Sequence, residues 1–190
     1  MARTPSTMMP LGTPMPRFEL KDASGCLYTN ADHTKKGTLI MFLSVHCPFV
    51  IHLKAALADL ARSFDAELKI YGIMSNDVEA YPADAPEHMQ EDVNTFGYPF
   101  PYLIDDTQDV AKAFQAACTP DFFLFDQNNR LFYRGQFDGS RPGNEIAVTG
   151  TDLKRAIQRL LDDAASPDPQ LPSLGCNIKW KAGNEPDYFG

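Results

Sequence analysis

The 190-residue chain lacks the features that mark membrane, nucleic-acid-binding or disulfide-stapled proteins. No apolar run approaches the roughly 18 to 20 residues needed to cross a bilayer. The opening stretch, MARTPSTMMPLGTPMPRF, has no apolar h-region, so no secretory signal is read there and the cytoplasm is the expected location. Basic charge is in deficit: 17 Lys and Arg stand against 25 Asp and Glu, for a net charge of -8. That balance argues against phosphate-driven nucleic-acid binding and against an anionic membrane surface. Cysteine is scarce, with Cys26, Cys47, Cys118 and Cys176 widely spaced. No pair is close enough for a zinc site, and in a reducing compartment a disulfide would be catalytic or transient. Repeats and low-complexity segments are absent as well. What remains is 44% hydrophobic and 22% charged, a composition that suits one globular domain with extensions.

Residues 1 to 16 read as an irregular arm, and PRFELKDASGCLYTN as a hairpin turning at DASG. TLIMFLSV, Thr38 to Val45, is continuously apolar, as expected of a strand buried on both faces. PFVIHLKAALADLARSF follows with apolar residues at helical spacing, and Pro48 suits the first helical turn. LKIYGIMS is a second buried strand, and an acidic loop then leads into a helix over Glu87 to Phe96. FPYLIDD is a short strand, and TQDVAKAFQA a helix with Thr107 as its N-cap. PDFFLFDQNNRLFYRGQF is a hairpin joined at Asn128-Asn129, where Asn tolerates left-handed geometry. TDLKRAIQRLLDDAA is an amphipathic helix capped by Thr151 or Asp152. The early βαβ stretch implies a parallel, right-handed crossover. The late hairpin adds antiparallel strands, so a mixed sheet flanked by helices on both faces is expected.

The stretch FLSVHCPFV carries the chemistry. Cys47 stands where a buried strand gives way to a helix, and the first turn of a helix presents unpaired N–H groups that favour negative charge. A thiolate there would be a nucleophile. The alternative reading is a packed core thiol, the usual state of an unpaired cysteine. A dithiol site would want a second cysteine three residues away, yet Ser44 stands upstream and Val50 downstream.

The element order, the Cys at the first strand-to-helix junction and the Thr119-Pro120 pair before a hairpin resemble the thioredoxin-like superfamily. The extension GTPMPRFELKDASG resembles its peroxiredoxin-like redoxin branch, of the alkyl hydroperoxide reductase and thiol-specific antioxidant type. The segments His46-Cys47-Pro48, Ser75-Asn76-Asp77 with Tyr81-Pro82, Gly97 to Leu103, Thr119 to Asp126, Tyr133-Arg134-Gly135 and Gly175 to Lys181 carry the likeness, over roughly residues 11 to 182. The resemblance implies a thioredoxin-like α/β fold with an N-terminal hairpin extension, over residues 11–165. An arm precedes it at 1–10, and an irregular tail packs on it at 166–190. It implies that Cys47 is the nucleophile, that Val50 replaces the second cysteine of Cys-x-x-Cys, and that Thr119-Pro120 is a cis-proline loop facing the thiol. A cis-proline would leave backbone groups open to an extended substrate.

Ser44-x-x-Cys47 fits part of the peroxidatic motif, but Ile40 replaces the proline expected four residues before Ser44. A peroxide-oxidised Cys47 needs a second thiol. Cys118, two residues before Pro120, is the first internal candidate and Cys176 the second; external thiols would serve equally. Cys26 is read as inert. The expected catalytic residues are Cys47 and Cys118, and the expected substrate-binding residues are Ser44, His46, Pro48, Thr119, Pro120 and Arg134. Arg134 and Arg141 are the basic residues expected nearest the thiol, each with a surface salt bridge as the plainer reading. Asn76 and Asp77 end a core strand on the same edge. His33, His52 and His88 have no ligand spacing, and the carboxylate run from Asp77 to Asp92 reads as a solvated face. A copper(I) site of Cys47, His46 and Cys118 has no spacing in its favour, so no metal or cofactor is expected. The expected partner is a small-molecule or protein thiol or disulfide, or a peroxide, and a homodimer is left open. The expected activity is thiol oxidoreduction; a non-catalytic module that holds peptides or client proteins is the alternative.

Overall fold

The structure is a computed structural model that describes residues 3–31 and 35–189; His33 lies outside them. Its centre is the apolar run noted above. Strand β4, Gly37–Phe42, is buried throughout. Along the run the side chains alternate between faces, as a pleated strand requires. Leu39, Met41 and Leu43 join one apolar cluster, while Ile40 and Phe42 join another on the opposite face.

The chain enters through β1 (Arg3–Pro5) and a hairpin of β2 (Glu19–Asp22) and β3 (Leu27–Thr29). After β4 come α1 (Pro48–Ile51), α2 (Lys54–Phe64) and β5 (Leu68–Met74), which runs parallel to β4. A 3-10 turn over Pro82–Asp84 leads into α3 (Pro86–Phe96), then β6 (Tyr102–Ile104) and α4 (Asp109–Ala113). β7 (Cys118–Thr119) is separated by Pro120 from β8 (Asp121–Asp126), and β9 (Leu131–Gly135) completes the second hairpin. Helix α5 (Thr151–Leu161) and strand β10 (Leu174–Asn177) close the chain. The main sheet has the order β3-β2-β6-β5-β4-β8-β9, with β4–β5 and β5–β6 parallel and the remaining pairs antiparallel.

Residues of α1, α2, α3 and α5 pack in one cluster, against Leu39, Leu124 and their neighbours. Ala111 and Phe114, with Met9, Phe18, Ile178 and Trp180, cover the other face around Phe123 and Phe125. No helix of the described residues is long and apolar enough to cross a membrane.

Four local expectations are corrected. The helix read continuously from Pro48 breaks after one turn, where Leu53 N–H reaches back three residues to Val50 O at 2.8 Å. The cap of α4 is not Thr107: Gln108 holds the left-handed N-cap position, and the Asp105 carboxylate accepts from the Val110 and Ala111 amides. Helix α5 is preceded by Gly150, left-handed, and the Asp138 carboxylate takes the Thr149 and Gly150 N–H groups at 2.6 Å each. The termini are not wholly irregular, because β1, β10 and β7 form a second sheet in that order. It ties both chain ends to the segment that precedes Pro120.

Candidate active site

Cys47 is the N-cap residue of α1, in extended geometry with φ −67° and ψ 121°, and Pro48 occupies the first helical turn. Its carbonyl accepts from the amides of Val50 and Ile51 at 2.9 and 2.8 Å. Because α1 is a single turn, the dipole of a long helix is reduced here to the local N–H groups. The thiol is 1% exposed and donates to the Thr119 carbonyl at 3.1 Å. The Thr119–Pro120 peptide is cis. The thiol and the Thr119-Pro120 segment therefore face each other directly.

The junction that presents Cys47 is built around a residue that sequence reasoning missed. Asp84 is fully buried, although it belongs to the acidic stretch read as solvated. One oxygen accepts from Ser44 Oγ at 3.0 Å and from the Val45 and His46 amides at 2.7 and 3.3 Å. The other accepts from Asn76 Nδ2 at 2.7 Å and faces His46 Nδ1 at 2.8 Å. Ser44 Oγ in turn accepts the Cys47 amide at 3.2 Å. A single carboxyl group thus orders the whole Ser44–Cys47 turn, and a polar group buried this deeply needs such full hydrogen-bond partnering. Several carboxylates crowd that stretch, and nothing in its spacing singles out Asp84. Asp92 is likewise buried, paired with Lys54 at 2.6 Å.

His46 is partly exposed, and its ring stacks parallel on Tyr81 at 5.9 Å between centroids. The Lys179 ammonium lies over the Tyr81 ring, 5.7 Å from its centroid. Backbone bonds lock this corner: Lys179 N–H donates to Asn76 Oδ1 and Asp77 N–H to Lys179 O, both at 2.8 Å. Asn76 is thus a structural partner of the site, and Asp77 caps the following turn through the Glu79 amide.

The four cysteines are thiols. Cys118 is fully buried, with its sulfur near Pro120 O at 3.6 Å. Burial, followed by the Asp121 carboxylate, pushes its thiol well up. In β7 it neighbours Thr119, whose strand partner is Cys176, while Cys118 itself pairs with Asn177. Alternation along the strand sends Cys118 to the face opposite Cys176. Cys47 and Cys176 share one apolar cluster, and the Cys176 thiol is hydrogen-bonded to Cys47. The pairing of β10 with β7 also means that Thr119's edge, expected open to a substrate, is already occupied.

Neither arginine is directed at the thiol. Arg134 Nη1 donates to Gln170 Oε1 at 2.7 Å. Arg141 donates to the Asp138 and Ser140 carbonyls at 2.6 Å and to Gln136 Oε1 at 2.5 Å. His52 contacts Ser140 Oγ at 2.7 Å and His88 pairs with Glu91 at 3.1 Å. Cys26 is exposed in the N-terminal hairpin. Among the described residues no group of three or more His, Cys, Asp or Glu is placed to hold a metal ion.

A mixed sheet covered on both faces, with a cysteine at the first strand–helix junction against a cis-proline segment, defines the thioredoxin-like class. Within it this is a peroxiredoxin-like redoxin, and the chain belongs to the AhpC/TSA family, whose model matches residues 11–134. No curated protein matches the chain. A hypothetical protein of Sinorhizobium meliloti is similar at 46% identity over 95% of this chain and 100% of its own, with a TM-score of 0.93. An uncharacterized conserved protein of Geobacillus kaustophilus is similar at 46% identity, covering 95% and 97%, with a TM-score of 0.92. A secreted Mycobacterium tuberculosis disulfide oxidoreductase shares the fold at 17% identity, covering 76% and 95%, with a TM-score of 0.57.

Proposed function

We propose that this thiol oxidoreductase uses Cys47 as its attacking sulfur, against a disulfide in preference to a peroxide. The observation that carries the reading is the Cys47 thiol at the head of α1, 3.1 Å from the carbonyl of the cis Thr119–Pro120 segment. A cysteine so placed meets a sulfur bound along that segment without rearrangement of its own backbone. The preference for disulfides rests on what surrounds the thiol. Ser44 Oγ is committed to Asp84 and the Cys47 amide, while Arg134 Nη1 donates to Gln170 and Arg141 to Gln136 and neighbouring carbonyls. Polarising a peroxide would call for such donors at the sulfur. With Cys47 1% exposed and Cys176 of β10 packed against it, a substrate reaches it once β10 moves aside.

The second reading, a non-catalytic module for peptides or client proteins, would use the Thr119 edge, which β10 occupies; both readings therefore need β10 displaced, and only the first gives the Cys47 thiol facing that segment a role. The test is peptide mass mapping after one equivalent of 2-hydroxyethyl disulfide or hydrogen peroxide. The proposal predicts covalent change at Cys47, faster with the disulfide. A Cys47 that stays a thiol with both oxidants would overturn it, and faster reaction with peroxide would reverse the order of substrates.

A further inference from the structure

We infer that Cys176 is the second redox thiol of this site: β10 lies on the Thr119–Pro120 segment in the place of an extended substrate and carries its sulfur to Cys47. The inference rests on the proposed function, since it requires Cys47 to react first.

Three observations converge. The strand register places Cys176 directly across from Thr119, and the Thr119 carbonyl is the acceptor of the Cys47 thiol. The preceding residue makes that approach possible: a Cβ on Gly175 would stand 2.0 Å from the Thr119 oxygen and 2.6 Å from its carbonyl carbon. Only glycine lets β10 lie this close to the segment. Third, the two thiols are hydrogen-bonded within one apolar cluster, whereas Cys118 is directed to the other side of β7 against Ser6 and Asp121. The arrangement replaces the nearby second cysteine that Val50 does not provide with one delivered from 129 positions later by a strand pairing.

The Cys47 thiol loses its proton and its thiolate attacks one sulfur of a substrate disulfide RSSR; the substrate S–S bond breaks and RS⁻ leaves, taking up the proton Cys47 gave up as RSH, which gives a Cys47–S–S–R mixed disulfide. Cys176 then attacks the Cys47 sulfur, the second RS group leaves, and the Cys176 proton ends on a released thiol. Two electrons pass from the cysteine pair to the substrate, leaving a Cys47–Cys176 disulfide and two RSH. With a hydroperoxide ROOH, the O–O bond breaks, Cys47 takes the hydroxyl as a sulfenic acid while RO⁻ leaves and is protonated to ROH, and condensation with Cys176 forms the S–S bond and releases water. Burial first, then the hydrogen bond to Cys47, pushes the Cys176 thiol up to about 12, while the Lys179 ammonium acts in the opposite direction. The thiolate is the attacking form, so this shift slows the second step, and the attack needs the Cys176 proton passed to the departing RS group as it occurs.

The experiment treats the Cys26→Ser chain, freed of its exposed thiol, and the same chain carrying Cys176→Ser with one equivalent of 2-hydroxyethyl disulfide. Intact mass and peptide mapping follow. The expected result is a Cys47–Cys176 disulfide, with loss of two hydrogens, in the first chain and a persistent 2-mercaptoethanol adduct on Cys47 in the second. A Cys47–Cys118 link, or an adduct that persists equally in both chains, would overturn the inference while leaving Cys47 as nucleophile. An unreactive Cys47 in both would overturn the proposed function and the inference together. Should Cys176→Ser fail to fold, the disulfide map of the first chain decides alone.

Discussion

The Cα of Gly175 packs so closely on the Thr119 carbonyl that a single methyl group there would stand 2.0 Å from the oxygen. This contact fixes the C-terminal strand to the segment that faces Cys47. The Gly175→Ala chain is therefore expected to lose the β7–β10 pairing, at a cost of about 1–3 kcal/mol as an overpacked site. Urea unfolding measures the cost, and proteolysis of the tail beyond residue 165 measures the release. An unchanged midpoint and an equally resistant tail would show that the strand does not depend on the glycine.

Asp84 is the hub of the Ser44–Cys47 turn, with donors from Ser44, Val45, His46 and Asn76 on its two oxygens. Asp84→Ala leaves those donors buried without an acceptor, which costs about 2–4 kcal/mol. Asp84→Asn keeps an acceptor and is expected to fall between the two chains in stability. Reactivity of Cys47 toward a small disulfide should decline in the same order, since the turn that presents it loosens. Equal reactivity in a destabilised Asp84→Ala chain would separate the hub from the chemistry.

A fully buried carboxyl gives the fold a pH-dependent stability. Burial raises Asp121 from the ordinary carboxylate range to about 7, opposed in part by the Ser6 hydroxyl, which donates to it at 2.6 Å. The folded chain thus binds a proton that the unfolded chain has lost between about pH 4 and 7. Stability associated with this group is present at the lower end and is lost as pH rises through about 7. Relative to the parent, Asp121→Asn should gain stability between pH 5 and pH 8, on the order of 1–3 kcal/mol at about 1.4 kcal/mol per unit. Urea midpoints at pH 5, 6, 7 and 8 check this. A difference between the two chains that does not change with pH would contradict it.

The Lys54–Asp92 pair, at 2.6 Å and buried on both sides, brings α2 and α3 together beneath the Phe96 ring. Burial raises the Asp92 carboxyl, and Lys54 opposes that rise. Asp92→Ala strands the ammonium and should cost about 3 kcal/mol, whereas replacing both residues by apolar ones of similar volume should cost less. A double-mutant cycle in urea separates the two outcomes, and equal losses would show that the charges are not coupled.

The parts of this molecule that were legible in its sequence are those written in short-range pattern. Thr38 to Val45 announced a strand buried on both faces, Asn128-Asn129 a tight hairpin, and Cys47-Pro48 the strand–helix junction. The tertiary contacts that complete the site were not legible. Asp84 looks like any other acid in its loop, and only the fold turns it inward to the Ser44–Cys47 amides. The break at His52–Leu53 leaves the helical periodicity intact on either side, so spacing alone cannot show it. Strand β7 is two residues long, and its partner Cys176 is 57 positions beyond Thr119. Proximity in sequence favoured Cys118 over Cys176 as second thiol. The alternation of side chains along β7 instead directs Cys118 away from the Cys176 side.

The central claim, that Cys47 is the working sulfur, is tested most directly by turnover. Dithiothreitol-supported reduction of 2-hydroxyethyl disulfide is measured with the parent chain and with Cys47→Ser, each shown to be folded. Saturable turnover is expected from the first and only the uncatalysed background from the second. Turnover that survives the loss of Cys47 would contradict it.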